Sequence, residues 1–165
     1  MRLVFITIVT SMFAACSEPV VELEGTVNGK KGYGGAAHWG GPHVLFTSSN
    51  ISCQEVDWVQ GNYGGKDSVD METADSFDAL QITFRNTDVV EGETPIMASA
   101  PPANAWFIES DAGTAALTRA STGSIDVEFD GDWLIGDIDI DFGAAGSISG
   151  SFEIQSCVNL KSIEN

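Results

Sequence analysis

Three alternating runs in the last third of the chain constrain its fold more than any other feature. Ser124 to Phe129 places Ile125, Val127 and Phe129 on one side. Trp133 to Phe142 does the same with Leu134, Ile138, Ile140 and Phe142, and Ser147 to Ser156 with Ile148, Phe152 and Ile154. A period of two is the signature of a strand with one face buried. Asp130-Gly131 separates the first pair of runs and Gly143 to Gly146 the second, both turn sequences. Successive runs joined this tightly form a β-meander.

The earlier part of the chain gives shorter signals of the same kind. Val20 to Val27 alternates, with Val21, Leu23, Gly25 and Val27 on one side, and ends at the turn Asn28-Gly29. Residues 29–42 read as a Gly-rich loop and Val44 to Thr47 as a short strand. Residues 52–60 read as a helical turn or two capped by Ser52, and residues 61–76 as a polar loop. Asp78 to Arg85 alternates with Leu80, Ile82 and Phe84 inward. Residues 91–104, with three prolines, read as loop or edge structure. Trp106 to Glu109 and Ala115 to Thr118 read as further short strands. No long 3.6-residue period competes with these signals. The expectation is one all-β domain, a single antiparallel β-sandwich or flattened barrel with a C-terminal meander.

The N-terminus carries a different message. Met1-Arg2, the apolar run Leu3 to Val9 and the small-residue step Ala14-Ala15 before Cys16 have the layout of an export signal. The apolar run has about half of the roughly 20 residues that a spanning helix needs. With Cys16 directly after the cleavage point, the segment resembles the lipobox of bacterial lipoproteins, although Phe13 stands where an aliphatic residue is usual. The resemblance implies lipidation at Cys16, removal of residues 1–15, a tether over 16–20 and an acidic β-domain over 21–165. Several acyl chains together give stable membrane anchoring. Ser17, where Asp would favour inner-membrane retention, is compatible with the outer membrane. The other reading is an ordinary cleaved signal with Cys16 incidental.

With Cys16 assigned to lipid, Cys53 and Cys157 remain as an even pair. In an exported protein that reads as a disulfide; two free thiols or a metal pair are the alternatives. The C-terminal pattern G-S-I-D-V, an acidic strand and S-G-S-F-E-I-Q-S-C resembles the closing meander of small uncharacterised β-rich bacterial lipoproteins, in which a strand carrying S-G-x-F also ends in a Cys. The resemblance covers about the last quarter of the chain. It implies the fold and the disulfide, and brings no activity with it.

Charge bounds the partners. Without residues 1–15, six basic residues face 24 acidic ones, a formal charge of −18. Such a chain repels nucleic acid, whose phosphates require clustered Lys and Arg. It attracts cations and basic proteins. The acids concentrate in the meander: Asp126, Glu128 and Asp130 on the outward side of one run, Asp137, Asp139 and Asp141 on that of the next. No Lys or Arg lies between residues 120 and 160 to offset them; Lys30, Lys31, salt or a divalent cation could. Loosely bound Ca²⁺ is one expectation, since it takes oxygen ligands. An EF-hand is excluded, because Phe142 and Ile148 stand where its Gly and Glu belong.

His38 and His43 form an alternative metal pair in the Gly-rich loop. Tyr33, Trp39 and Tyr63, in or near Gly-rich loops, are candidate sugar-stacking residues; Trp58 is expected to pack near Cys53. No catalytic residue stands out. Gly146 to Gly150 mimics a nucleophile elbow but has Ile148 at its centre, and neither a P-loop nor a dinucleotide fingerprint is present. The expected function is therefore that of a membrane-anchored, non-catalytic envelope lipoprotein with an acidic interaction surface. The alternatives are a binding module for a small apolar ligand or glycan, and a carboxylate-based hydrolase.

Overall fold

The computed structural model describes residues 19–53, 76–85, 87–99, 102–111 and 114–157. Cys16, Trp58, Tyr63 and most of the segment read as helical, residues 54–60, lie outside the described residues. Ten strands form one sheet: β1 (Val20–Val27), β2 (Ala37–Gly40), β3 (His43–Thr47), β4 (Phe77–Phe84), β5 (Gly92–Met97), β6 (Ala103–Asp111), β7 (Thr114–Arg119), β8 (Thr122–Asp130), β9 (Trp133–Asp141) and β10 (Gly146–Gln155). Nine follow the path β1-β10-β9-β8-β5-β6-β4-β3-β2, and β7 pairs with β6. The path bends back on itself. Trp39 of β2 bridges Ser156, just past β10, and its carbonyl accepts the Cys157 N–H at 2.6 Å. The result is a nearly closed barrel.

The meander β8-β9-β10 follows the alternation residue for residue. Ile125, Val127, Leu134, Ile138, Ile140, Ile148, Phe152 and Ile154 are all buried. Gly136 interrupts the inward series on β9 for a steric reason. A side chain there would collide with the Asp126 carbonyl and with Val127, and the Phe152 ring already fills the space. Phe46 and Phe152 meet edge-on at 5.3 Å between ring centres, and Phe107 and Phe142 at 6.3 Å. Side chains from different strands thus touch inside the barrel, so it has a packed core.

The first half of the chain departs from the expected outline in two places. The Gly-rich loop contains β2, a strand too short to show a period among its glycines. Residues 91–104 supply β5 and the start of β6. Pro95 is tolerated because β5 is nearly an edge: away from β8 it meets β6 at one pair, Ile96 and Ala103. A tight contact also shapes the loop before β2. Gly32 is buried against the sheet, and a Cβ there would lie 2.7 Å from Phe107 and 2.8 Å from the Ala79 backbone.

A second, smaller core lies on the outside of the barrel. Leu45, Ala79 and Ile108, on the outer face of β3, β4 and β6, pack with Ile51, Phe77 and Cys157, and Cys53 and Trp106 border them. This explains why β3 is buried on both faces. The Cys53–Cys157 disulfide sits in this cluster, with Cα atoms 5.6 Å apart and a separation of 104 positions along the chain. It ties the segment after β3 to the end of β10. Replacing both cysteines by serine is expected to cost on the order of 2–5 kcal/mol of unfolding free energy, measured by urea titration.

Candidate functional site: an acidic barrel wall

Strand order, rather than chain order, assembles the acids. β5, β8, β9, β10 and β1 are consecutive neighbours and contain no Lys, Arg or His. Their outward positions align in rows. One row runs Glu93, Asp126, Asp137, Ser151, Glu22; the next runs Pro95, Ser124, Asp139, Ser149, Glu24. A third runs Met97, Thr122, Asp141, Ser147, Thr26. Glu128 and Asp130 extend the acids of β8, and Glu153 adds one on β10. The six carboxylates expected to share a surface do so, and all six are exposed. Glu22, Glu24, Glu93 and Glu153 join them. Alternation along β1 already turned Glu22 and Glu24 outward, but only the β1–β10 and β5–β8 pairings bring β1 and β5 into this wall.

The register spaces the charges. Asp126 faces Asp137 directly, and Glu93 faces Asp126. Asp139 and Asp141 are flanked on both sides by Ser or Thr. The Asp141 carboxylate also accepts the Gly143 N–H at 2.7 Å, holding the turn into β10. Glu91 accepts the Phe129 N–H at 3.3 Å beside an open cleft of about 560 Å³ lined by Gly92, Asp126, Glu128, Gly136 and Asp137 among others. Among the described residues no three His, Cys, Asp or Glu side chains converge as metal ligands would. The acids form a spread surface of strand-spaced charges.

The lysines that might have relieved this wall are engaged elsewhere. Lys30 pairs with Asp78 at 3.4 Å and Glu109 at 3.2 Å, two carboxylates directly opposite each other on β4 and β6. Asn28 donates to Glu109 at 2.8 Å and to Thr118 at 3.3 Å. These acids occupy inward-facing positions at one end of the barrel, where the turn after β1 covers them. Lys31 lies 5.7 Å over the Tyr33 ring. Arg119 stacks on Trp106 at 5.3 Å.

The remaining candidates make contacts within the fold. The His38 Nε2–H donates to the Ile51 carbonyl at 2.8 Å, whereas His43 Nδ1 shares a 3.1 Å hydrogen bond with Thr83. The two imidazoles, on the paired strands β2 and β3, bond to different neighbours. Burial lowers the His43 pKa below its ordinary 6.5, favouring the neutral ring. Tyr33 is buried, and its hydroxyl donates to the Gly25 carbonyl at 2.8 Å. Burial, and then the charge of Glu24, raise its pKa. Trp39 packs on the core and against Phe129 at 5.2 Å, with its indole N–H on the Asp132 carbonyl. Tyr33 closes the loop onto β1, and the half-buried Trp39 helps close the barrel. Among the described residues no helix is long and apolar enough to cross a membrane.

Two measurements probe this electrostatic layout. Asp137→Asn removes one side of the facing Asp126–Asp137 pair and should raise the melting midpoint by about 1–2 °C at low salt. The gain should shrink as salt screens the wall. Lys30→Met should lower the midpoint at neutral pH. The Lys30 pKa is raised above 10.5, chiefly by its hydrogen bond to Glu109 and then by the charge of Asp78. Its stabilisation is therefore complete below 10.5 and fades as pH rises through the elevated value. The gap between wild type and variant should close in that alkaline range in pH-dependent melts.

Compared with protein-family models, curated proteins and solved structures, the chain gives no match.

Proposed function

We propose that this chain is a non-catalytic lipoprotein of the bacterial envelope, anchored through Cys16, that presents its acidic wall to basic proteins and cations. One observation carries the reading: five adjacent strands expose carboxylates with serines and threonines among them, and no basic residue among their own. A surface of one sign steers oppositely charged partners and repels anionic ones. Divalent cations would gather at this wall loosely, since its acids are spaced as strand neighbours rather than gathered into a closed cage. The export signal and the small-residue step before Cys16 support the anchor, and the outer membrane is the compartment compatible with Ser17. A ligand held inside the barrel is disfavoured by the interlocked rings of Phe46, Phe152, Phe107 and Phe142.

Two experiments test the two halves of this reading. Mass spectrometry of the mature N-terminus is expected to find Cys16 first in the chain and carrying acyl groups; an unmodified Cys16 or cleavage elsewhere would overturn the anchor. Binding of polylysine is expected to weaken at least about tenfold when Asp126, Asp137 and Asp139 are all changed to Asn, and to weaken with salt in the wild type. Equal binding by wild type and triple variant would overturn the role of the wall.

A further inference from the structure

We propose that the seam between β1 and β2 is a docking slot in which an extended, basic segment of a partner protein adds as a strand. The inference rests on the acidic-wall reading and specifies how the partner is held.

The sheet path begins at β1 and ends at β2, and both border β10. β1 covers β10 up to Glu153, and β2 bridges the chain just beyond β10, at Ser156 and Cys157. Among the described residues no backbone hydrogen bond joins β1 to β2. Strand alternation shows which groups face this gap. Val27 exchanges both of its backbone hydrogen bonds with Lys30, on the side away from β10. Val21 and Leu23, in phase with Val27, turn their N–H and C=O groups the same way. On the far side, the Ala36 carbonyl accepts the Thr47 N–H of β3. Ala37, out of phase with Ala36, turns its backbone groups to the seam.

The gap has room. An open cleft of about 570 Å³ lies there, with Pro19 and Val21 on one side, Gly34 and Ala37 on the other, and Asn50 and Ser52 at the margin. Gly34 has no side chain to obstruct an incoming strand. Exposed strand edges recruit extended segments through main-chain hydrogen bonds, and side-chain pockets then select among them.

The charge around the slot selects the occupant. Glu22 and Glu24 point outward from β1, with Glu153 beside them on β10, and neither β1 nor β10 carries a Lys or Arg. A strand added next to β1 places its outward side chains about 5 Å from Glu22 and Glu24. Lys or Arg at alternate positions fits there, with small apolar residues between them facing Val21 and Ala37. An acidic strand is repelled at the same place. A second copy of this chain, at a net charge of −17, is repelled as a whole.

The test uses the full chain, isotope-labelled, with two synthetic peptides of equal charge. One alternates Lys and Val; the other has the same residues with prolines replacing two central valines. The alternating peptide is expected to bind about tenfold tighter, the worth of one or two backbone hydrogen bonds. It should slow amide exchange at Val21, Leu23 and Ala37, and the proline peptide should not. Val21→Pro removes a seam-facing N–H while sparing the β10 ladder, and should erase the preference between the peptides. If both peptides bind equally and salt-sensitively with no amide protected, the slot is overturned and the acidic wall stands. If neither peptide binds, both readings fall.

Discussion

Closure of the sheet is the constraint on which the rest of this structure depends. Trp39 on β2 meets Ser156 after β10, and its carbonyl takes the Cys157 N–H. The next covalent link, Cys157 to Cys53, fixes the same corner from outside. Because the ends of a nine-stranded path are brought together there, every strand on it acquires an inside and an outside. The inside fills with aliphatic and aromatic side chains. The outside of β5, β8, β9, β10 and β1 carries carboxylates, serines and threonines, with a few apolar residues such as Val20 and Met97 among them.

Packing and charge oppose each other across the same backbone. Each acidic strand presents buried Ile, Leu, Val or Phe on its reverse face, so the core must hold together strands whose outer faces repel. The register moderates the repulsion. Only Asp126 has acidic partners on both neighbouring strands, and β10 places Ser147, Ser149 and Ser151 between the acids of β9 and those of β1. The opposite arrangement appears at the barrel end, where two half-buried carboxylates on β4 and β6 require the Lys30 ammonium and the Asn28 amide. The acids of the wall stand in water with no basic residue on their own strands, and the acids at the core margin are neutralised, as the cost of desolvating charge demands.

The meander was legible because its runs are long, alternate strictly and are divided by turn residues; Ile125 through Ile154 could be placed inward from the period alone. β2 and β5 were not legible. β2 is four residues among glycines, and it is a strand because β3 and the end of β10 offer it partners. β5 contains Pro95 and holds its place through β8. The candidate site was half legible. The acids of β8 and β9 lie on runs adjacent in sequence, so their shared face followed from a single hairpin. Tyr33, Trp39, His38 and His43 read as exposed loop residues, and the structure turns them to work within the fold. No local pattern distinguishes an aromatic that closes a barrel from one that waits for a ligand.

Sequence alone determined the all-β class, the inward face of each long strand and the net charge, because side-chain alternation and composition are local properties. It also carried the cysteines Cys53 and Cys157 that the structure joins. Tertiary structure alone decided that Glu22, Glu24 and Glu93 stand in one wall with Asp126 and Asp137. It also decided that Lys30 serves Asp78 and Glu109, and that a seam remains between β1 and β2. Those are consequences of strand order and closure. The pairing of residues far apart in the chain depends on how the whole sheet can bury its apolar face at once, and no single segment encodes it.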